Sequence, residues 1–346
     1  NSDYRESDIA IMKVGPAGEL VWVKKLAGSG AVTDSAQDMA VTADGNIIIV
    51  GTTDGVYSEG KTRDAAAMIA KISPDGDLLW NRVYAYTGDL KSPGAGLDTV
   101  QPTSDGGFIV TGEISYTKGI SAFEDRDPIS RSDELVLKCD SSGNITWSKR
   151  FRNMLSVTCV HSNMLLVIVS KGYNDYLDSA IQTADGGYML QGHSSGYNIL
   201  QTPYYDYRKT DQAGWLMKLT SAGKVSWIKG YRDAFRESTS DEYSPNGYRK
   251  YNSLVLGSLR EADNGDLVTG GMIVQGSSRD VLLMRTDESG AISAGGIQVY
   301  DNLTPTYVDA CIVPADSDMA ISDFTAGAVI DVILNTADTD CMVTDL

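Results

Sequence analysis

The stretch DSAIQTADGGYMLQG, residues Asp178–Gly192, decides the fold of this 346-residue chain. Two apolar runs flank a tight turn at Asp185-Gly186-Gly187. This pattern predicts a β-hairpin, because glycine readily takes the positive φ that such turns require. In four copies the closing glycine falls seven residues after the turn Asp or Asn, whereas a degenerate fifth copy ends in Asp323. The other copies are Asp38–Gly51, Asp98–Gly112, Leu259–Gly271 and the degenerate Asp309–Asp323.

A second pattern follows each hairpin and reads Lys, four residues, Gly, three residues, Trp. Each copy predicts a strand, a turn and a strand, so that a repeat holds four strands, A to D, with tight A–B and C–D turns. Four of the five Trp residues occupy this one position, which indicates packing between repeats rather than a ligand platform. The frames begin at Lys13, Lys71, Lys138, Lys218 and Arg285, and the last has Ala294 in place of Trp.

These repeats predict a single all-β domain over residues 1–346, a β-propeller of four-stranded antiparallel blades. We expect a six-bladed ring, completed if an A–B hairpin precedes Asn1; five blades with an accessory hairpin is the alternative. In the last unit, Asp331-Val-Ile-Leu aligns with Asp280-Val-Leu-Leu, which makes Cys341–Leu346 strand D; alternatively, strand C is Asp340-Cys-Met-Val. The expected units are a half-blade at 8–26 and blades at 36–84, 97–151, 177–231, 253–300 and 307–346.

Composition excludes several classes of function. A net charge of −17 argues against binding to a nucleic-acid backbone. No apolar run approaches the length of a membrane helix. The four cysteines lack zinc spacing, and His161 and His193 lack partners at ligand spacing, so no metal site is predicted. Free buried thiols are the default interpretation, with Cys139–Cys159 and Cys311–Cys341 as the disulfide alternative. The start at Asn1 suggests a mature or trimmed product.

The hairpins Thr103-Ser-Asp-Gly-Gly-Phe108 and Thr183-Ala-Asp-Gly-Gly-Tyr188, together with the Gly-x3-Trp turns, resemble those of secreted propeller-repeat proteins. The turns are also similar to those of quinoprotein-type blades. The adjacent Cys pair of quinoprotein dehydrogenases is absent, so the resemblance implies no quinone cofactor. It implies a secreted or cell-surface setting, usually a binding role, and no catalytic residue.

The long interruptions of the repeat all fall in B–C and D–A connections, which lie on one face of a propeller. Binding groups usually sit on such loops, which makes this face the expected working surface. Tyrosine is frequent there and suits contacts with protein or sugar, although pinning of the loops to the disc explains it equally well. The candidate ligand-binding residues are Tyr197, Tyr204, Tyr205, Tyr207, Tyr243 and Tyr248.

The acidic loop Phe123–Glu134 offers alternating carboxylates that Ca²⁺ could use, but Arg126 and Arg131 favour a self-paired, solvated loop. We therefore expect a non-catalytic extracellular protein that binds a protein or glycan, self-associates or contributes to a larger extracellular assembly. The alternative is a propeller-scaffold glycoside hydrolase or lyase, which needs two carboxylates from its loops. Its candidates are Asp125, Asp127, Asp206, Asp211 and Glu242.

Overall fold

The computed structural model describes most of the repeat region and part of the C-terminal region. The described residues are 7–28, 33–54, 66–88, 90–118, 129–152, 174–202, 205–233, 252–275, 278–292, 297–300, 306–309, 312–316 and 320–323. They form strands and turns without a helix, which confirms the all-β prediction.

The strands follow the predicted A–D order. The first fourteen are β1 (Ile9–Val14), β2 (Leu20–Ala27), β3 (Asp34–Val41), β4 (Ile47–Thr53), β5 (Ala66–Ile72), β6 (Leu78–Tyr86), β7 (Lys91–Pro102), β8 (Phe108–Lys118), β9 (Ile129–Cys139), β10 (Ile145–Arg152), β11 (Asn174–Gln182), β12 (Tyr188–Thr202), β13 (Tyr205–Leu219) and β14 (Val225–Asp233). The rest are β15 (Asn252–Glu261), β16 (Leu267–Gln275), β17 (Ser278–Thr286), β18 (Ile297–Tyr300), β19 (Thr306–Asp309), β20 (Ile312–Asp316) and β21 (Ala320–Asp323).

Five antiparallel sheets follow one another along the chain. Sheet I contains β1 and β2, sheet II β3–β6, sheet III β7–β10, sheet IV β11–β14 and sheet V β15–β17. Each pair of successive sheets encloses one of four apolar cores, so most faces are buried against a neighbour. Among the described strands, no pairing joins sheet V to sheet I.

A bulge in strand A explains the closing glycine of the hairpin repeat. Strand A shifts register opposite Gly51, Gly112, Gly192 and Gly271. A Cβ on Gly192 would lie 2.0 Å from the carbonyl oxygen of Tyr176, and the other three glycines meet a strand-A carbonyl at 1.9–2.2 Å. Only glycine lets the two backbones approach this closely.

The Lys of the second pattern binds the Asp of the A–B turn within the same sheet. Lys138 Nζ lies 2.8 Å from Asp105 Oδ2, and its side chain is only 3% exposed. Burial opposes ionisation of Asp105, but hydrogen bonds from Lys138 and Thr103 prevail and lower its pKa to about 2. The same ion pair recurs in Lys71–Asp44 and Lys218–Asp185. In sheet V, where Asn264 holds the turn position, Arg285 pairs with Asp266 instead.

The repeated Trp connects one sheet to the next. Trp147 of sheet III covers the C–D turn of sheet IV: a Cβ on Gly223 would lie 2.9 Å from its ring, and its Nε1 donates to the Ser221 carbonyl at 3.1 Å. Trp22, Trp80 and Trp227 cover the corresponding glycines, Gly76, Gly143 and Gly290. The interpretation of these residues as packing groups is therefore confirmed.

The C-terminal strands β18–β21, called here the belt, differ from the sequence prediction. β18 pairs with β14, β19 with β10, β20 with β6 and β21 with β2, each as an antiparallel edge strand. The prediction that Asp309–Asp323 forms a fifth A–B hairpin is thus wrong, as is the placement of 297–300 in the fourth blade. The physical reason is visible in the sequence, because the segment lacks both turn and closing glycines, and Pro314 favours a sheet edge.

Two smaller expectations are also settled. The B–C connection between β12 and β13, one of the long interruptions of the repeat, is mostly a hairpin extension in which the two strands stay paired as far as Thr202 and Tyr205. Cys139 is a free buried thiol, so its proposed disulfide with Cys159 is wrong. Burial raises the pKa of the Cys139 thiol to about 12. Cys159, Cys311 and Cys341 lie outside the described residues.

Candidate functional site: an acidic cluster between sheets III and IV

The tight turns of neighbouring sheets lie on the same side of the protein. In addition to the Trp contacts, Gln182 of sheet IV accepts a hydrogen bond from the backbone of Ser104 in the A–B turn of sheet III, at 2.7 Å. Glu261 of sheet V likewise accepts from Ala184 at 2.8 Å. The B–C and D–A connections therefore leave from the opposite strand ends, which we call the connection side.

Five carboxylates near the connection side form the acidic cluster: Asp98, Glu113, Glu134, Asp175 and Asp178. Asp98 and Asp178 are the bulged residues of strands β7 and β11, so the same backbone irregularity places both. Glu113 and Glu134 are direct partners on β8 and β9.

Glu134 and Asp175 form the buried part of the cluster, with 3% and 4% exposure. Glu134 Oε2 accepts a hydrogen bond from the backbone N–H of Leu177 at 3.0 Å, and this bond joins sheets III and IV. Burial, followed by the nearby charges of Asp175, Glu113 and Asp98, raises the pKa of Glu134 well above its usual value. The Ser194 hydroxyl donates to Asp175 at 2.5 Å.

Asp98 belongs to the accessible part of the cluster. Its side chain is exposed, yet desolvation raises its pKa to about 6, with further contributions from Glu113 and Asp178. Exposure and desolvation coexist when a carboxylate contacts solvent on one side and is surrounded by protein on the others.

An aromatic pair lies next to the carboxylates. Tyr176 and His193 are cross-strand partners whose rings stack with centroids 4.7 Å apart. His193 Nδ1 lies 2.7 Å from Asp178 Oδ2, which fixes the ring orientation. Tyr176 keeps 40% of its surface exposed and thus presents an aromatic face beside hydrogen-bond acceptors.

Buried polar contacts support the sheet III side. Arg150 Nε lies 3.3 Å from Asp133 Oδ2, and both side chains are less than 10% exposed. Arg150 also donates to the Tyr86 hydroxyl at 2.7 Å, and the Tyr116 hydroxyl donates to Asp133 at 3.1 Å. These contacts hold the ends of β8, β9 and β10 in place beside the cluster.

The arrangement can bind a polyhydroxylated ligand or exchange a proton with one. Ionised carboxylates accept hydrogen bonds, and a carboxyl with a pKa near 6 can donate a proton near neutral pH. Within the described residues, no group of three or more His, Cys, Asp or Glu side chains has a geometry that could hold a metal ion. The calcium loop considered from sequence lies outside them over residues 123–128.

The structure places only part of the predicted tyrosine set. Tyr197 lies on β12 opposite Thr210, whereas Tyr205 and Tyr207 lie on β13 opposite Thr202 and Leu200. Their assignment as ligand-binding residues stays a prediction. Tyr204, Tyr243 and Tyr248 lie outside the described residues, as do Asp125, Asp127 and Glu242; Asp206 and Asp211 lie on β13.

Sequence reasoning missed the acidic cluster because its members look like ordinary strand residues. One signal was present: Asp98 and Asp178 open two copies of the hairpin repeat at equivalent positions. His193, interpreted as a structural residue, does contact Asp178, but it also stacks on the exposed Tyr176.

The comparisons with known proteins leave the family open. No protein-family model matches the chain, and no curated protein has significant sequence similarity to it. Over the described part of the chain, no helix combines the length and apolar character needed to cross a membrane.

Proposed function

We propose that this protein is a non-catalytic binding module that holds a glycan at the acidic cluster on its connection side. The exposed Tyr176 ring, fixed by His193 next to Asp98 and Asp178, is the observation that carries the proposal. An aromatic face packs against the C–H surface of a sugar, while carboxylates accept hydrogen bonds from its hydroxyl groups. The strand ends at which all long connections leave supply the surrounding surface.

A protein ligand is the competing outcome, because tyrosine-rich hairpins also suit protein surfaces. The β12–β13 extension carries Tyr197, Tyr205 and Tyr207 and would contribute to either kind of contact. A glycan is favoured because the described site combines several carboxylates with one exposed aromatic ring instead of an apolar surface. A secreted or cell-surface location is part of the proposal, since polysaccharides are abundant there.

The experiment is calorimetric titration with a panel of neutral and basic oligosaccharides, followed by variants. Tyr176→Ala should weaken binding by up to about tenfold, since one stacked aromatic contact contributes about 0.5–1.5 kcal/mol. Leu79→Ala, a half-exposed side chain next to a C–D turn, is the control and should bind as wild type. Normal binding by Tyr176→Ala, or no glycan bound but a protein partner captured at this site, would reject the glycan proposal.

A glycoside hydrolase is the second candidate, and the raised pKa of Asp98 favours it. A carboxyl with a pKa of about 6 can act as general acid while a neighbouring carboxylate stays ionised. Such an enzyme would release reducing ends from a bound polysaccharide, and Asp98→Asn would abolish release while retaining binding. Binding without any product release favours the non-catalytic module.

We also propose that the sheets belong to a propeller ring. The support is that successive sheets bury their faces against one another, as blades do. Residues 306–323 pair with earlier sheets instead of forming the unit expected at 307–346, so the proposed ring consists of sheets I–V. Small-angle X-ray scattering tests this: a closed disc and a straight stack of five sheets give different maximum dimensions.

A further inference from the structure

The A–B turn of sheet V is built like the other three but has a different residue at its centre. Its backbone repeats their hydrogen bonds: Ala262 N–H donates to the Asp266 carbonyl at 2.8 Å, and Gly265 N–H donates to the Ala262 carbonyl at 2.9 Å. The φ of Gly265 is 86°, close to the 79–80° of the glycine in the other turns. The residue before this glycine is Asn264 in sheet V, whereas in sheets II–IV it is an aspartate: Asp44, Asp105 and Asp185.

The Asn264 side chain occupies the place of those aspartates. Its Oδ1 accepts a hydrogen bond from the backbone N–H of Asp266, two residues further on, at 3.3 Å. The corresponding bond to Asp105 Oδ1 comes from the N–H of Gly107 at 3.0 Å. The second oxygen of Asp105, Oδ2, lies 2.8 Å from Lys138 Nζ. Asn264 has its amide nitrogen in place of this oxygen, so an aspartate would fit the turn of sheet V without rearrangement.

A basic side chain is already present beside this turn. Arg285 holds the repeat position of Lys138, and its Nε donates to Asp266 Oδ2 at 2.6 Å. Its Nη2 lies 2.5 Å from the same oxygen. A guanidinium has five N–H donors in a planar fork, so it can bind a second carboxylate beside the first. A carboxylate at position 264 would therefore have a cationic partner.

Asn264 and Gly265 also form an Asn-Gly pair, the dipeptide in which asparagine loses its amide most readily. Glycine has no side chain to shield its backbone nitrogen. That nitrogen attacks Cγ of the asparagine and forms a C–N bond, while Nδ2 takes the proton of the glycine amide and leaves as ammonia. Water then opens the five-membered imide: hydrolysis at Cγ gives aspartate, and hydrolysis at the backbone carbonyl gives isoaspartate. In total, one water is consumed, one ammonia is released and one negative charge is gained.

We propose that Asn264 is a site of spontaneous deamidation, which gives sheet V the aspartate and basic pair that sheets II–IV already carry in their sequence. The side chain is exposed, so water reaches it. The hydrogen bond from Gly265 N–H to Ala262 holds the attacking nitrogen, so the reaction requires local opening of the turn. This site lies among the tight turns and is independent of the proposed glycan site on the connection side.

Incubation of the full chain in mildly alkaline buffer, followed by peptide mass spectrometry, tests the reaction. The peptide that contains Asn264 should gain the mass of an amide-to-acid conversion. This conversion should be about tenfold faster when the protein is unfolded in urea, because the turn no longer holds Gly265. Asn264→Gln is the matched control: its longer side chain would have to close a six-membered ring, so its amide should persist.

Asn264→Asp represents the aspartate product and tests its effect on sheet V. Hydrogen exchange of the amides in β16 and β17 should be about two- to fivefold slower than in the wild type, the usual range for one exposed ion pair. Arg285→Met removes the partner. In the Arg285→Met background, Asn264→Asp should therefore give no such gain.

Three results would overturn the proposal. The first is an unchanged mass of the Asn264 peptide after prolonged incubation of the folded protein. The second is equal conversion of Asn264→Gln and wild type. The third is exchange in Asn264→Asp that is as fast as in the wild type, or slower to the same extent with and without Arg285. None of these outcomes bears on glycan binding at Tyr176, so the two proposals fail separately.

Discussion

Removal of Asp105 should destabilise sheet III by leaving the buried Lys138 ammonium without its carboxylate. In the structure, Lys138 Nζ donates to Asp105 at 2.8 and 3.1 Å and to the Cys139 carbonyl at 2.9 Å. Asp105→Asn keeps the shape of the side chain and removes its charge. Lys138→Met in the same background is the matched rescue, because it removes the buried charge as well.

The magnitude follows from the exposure of the two partners. Breaking a fully buried pair on one side costs about 3–5 kcal/mol. Here Lys138 is 3% exposed but Asp105 is 57% exposed, so solvent screens the pair from one side. We therefore expect about 2 kcal/mol, which corresponds to a roughly 30-fold increase in local opening of sheet III.

Hydrogen exchange of the backbone amides in β8 and β9 measures the local opening of sheet III. Because the folded-state pKa of Asp105 lies below its unfolded value, its stabilisation is present above pH 4 and lost as the pH falls towards 2. The difference between wild type and Asp105→Asn should shrink over that range. The double variant should be more stable than Asp105→Asn alone; strictly additive effects of the two substitutions would refute the reasoning.

Two further predictions concern the repeat residues. Trp147→Ala should lower the free energy of unfolding by about 2–3 kcal/mol, less than for a fully buried Trp, because it uncovers Gly223 and the core between sheets III and IV. Urea unfolding measures this loss, and a value under about 1 kcal/mol would contradict the role of the Trp between sheets. Gly192→Ala should destabilise far more than Gly186→Ala, because the first places a Cβ against backbone and the second costs only about 1–2 kcal/mol for its positive φ in open space. Equal melting temperatures for the two alanine variants would contradict the bulge explanation.

The repeat was readable from sequence because its constraints are local. Turn glycines, the closing glycine and the Gly-x3-Trp frame each reflect one contact that recurs at a fixed spacing. Lys138 and Asp105 are an example, since each occupies a fixed position in the sequence repeat and the structure joins the two in an ion pair. The four-stranded units therefore followed from pattern alone.

The belt and the site were not readable in the same way. Belt pairing joins β20 to β6 and β21 to β2, partners more than 200 residues apart, and no spacing rule encodes such contacts. The acidic cluster depends on which strand-A bulges come together across a sheet interface. Asp98 and Asp178 differ from the Gln37 and Gly257 of other bulges only in side chain, so their joint role emerges from packing.

The most direct test is hydrogen–deuterium exchange of the protein with and without a bound glycan. We expect slowed exchange on the connection side of sheets III and IV, at 94–98, 113–116 and 174–178, and no change in the tight turns at 103–107 and 183–187. Slowed exchange confined to those turns would contradict it, because the ligand would then occupy the opposite side of the sheets.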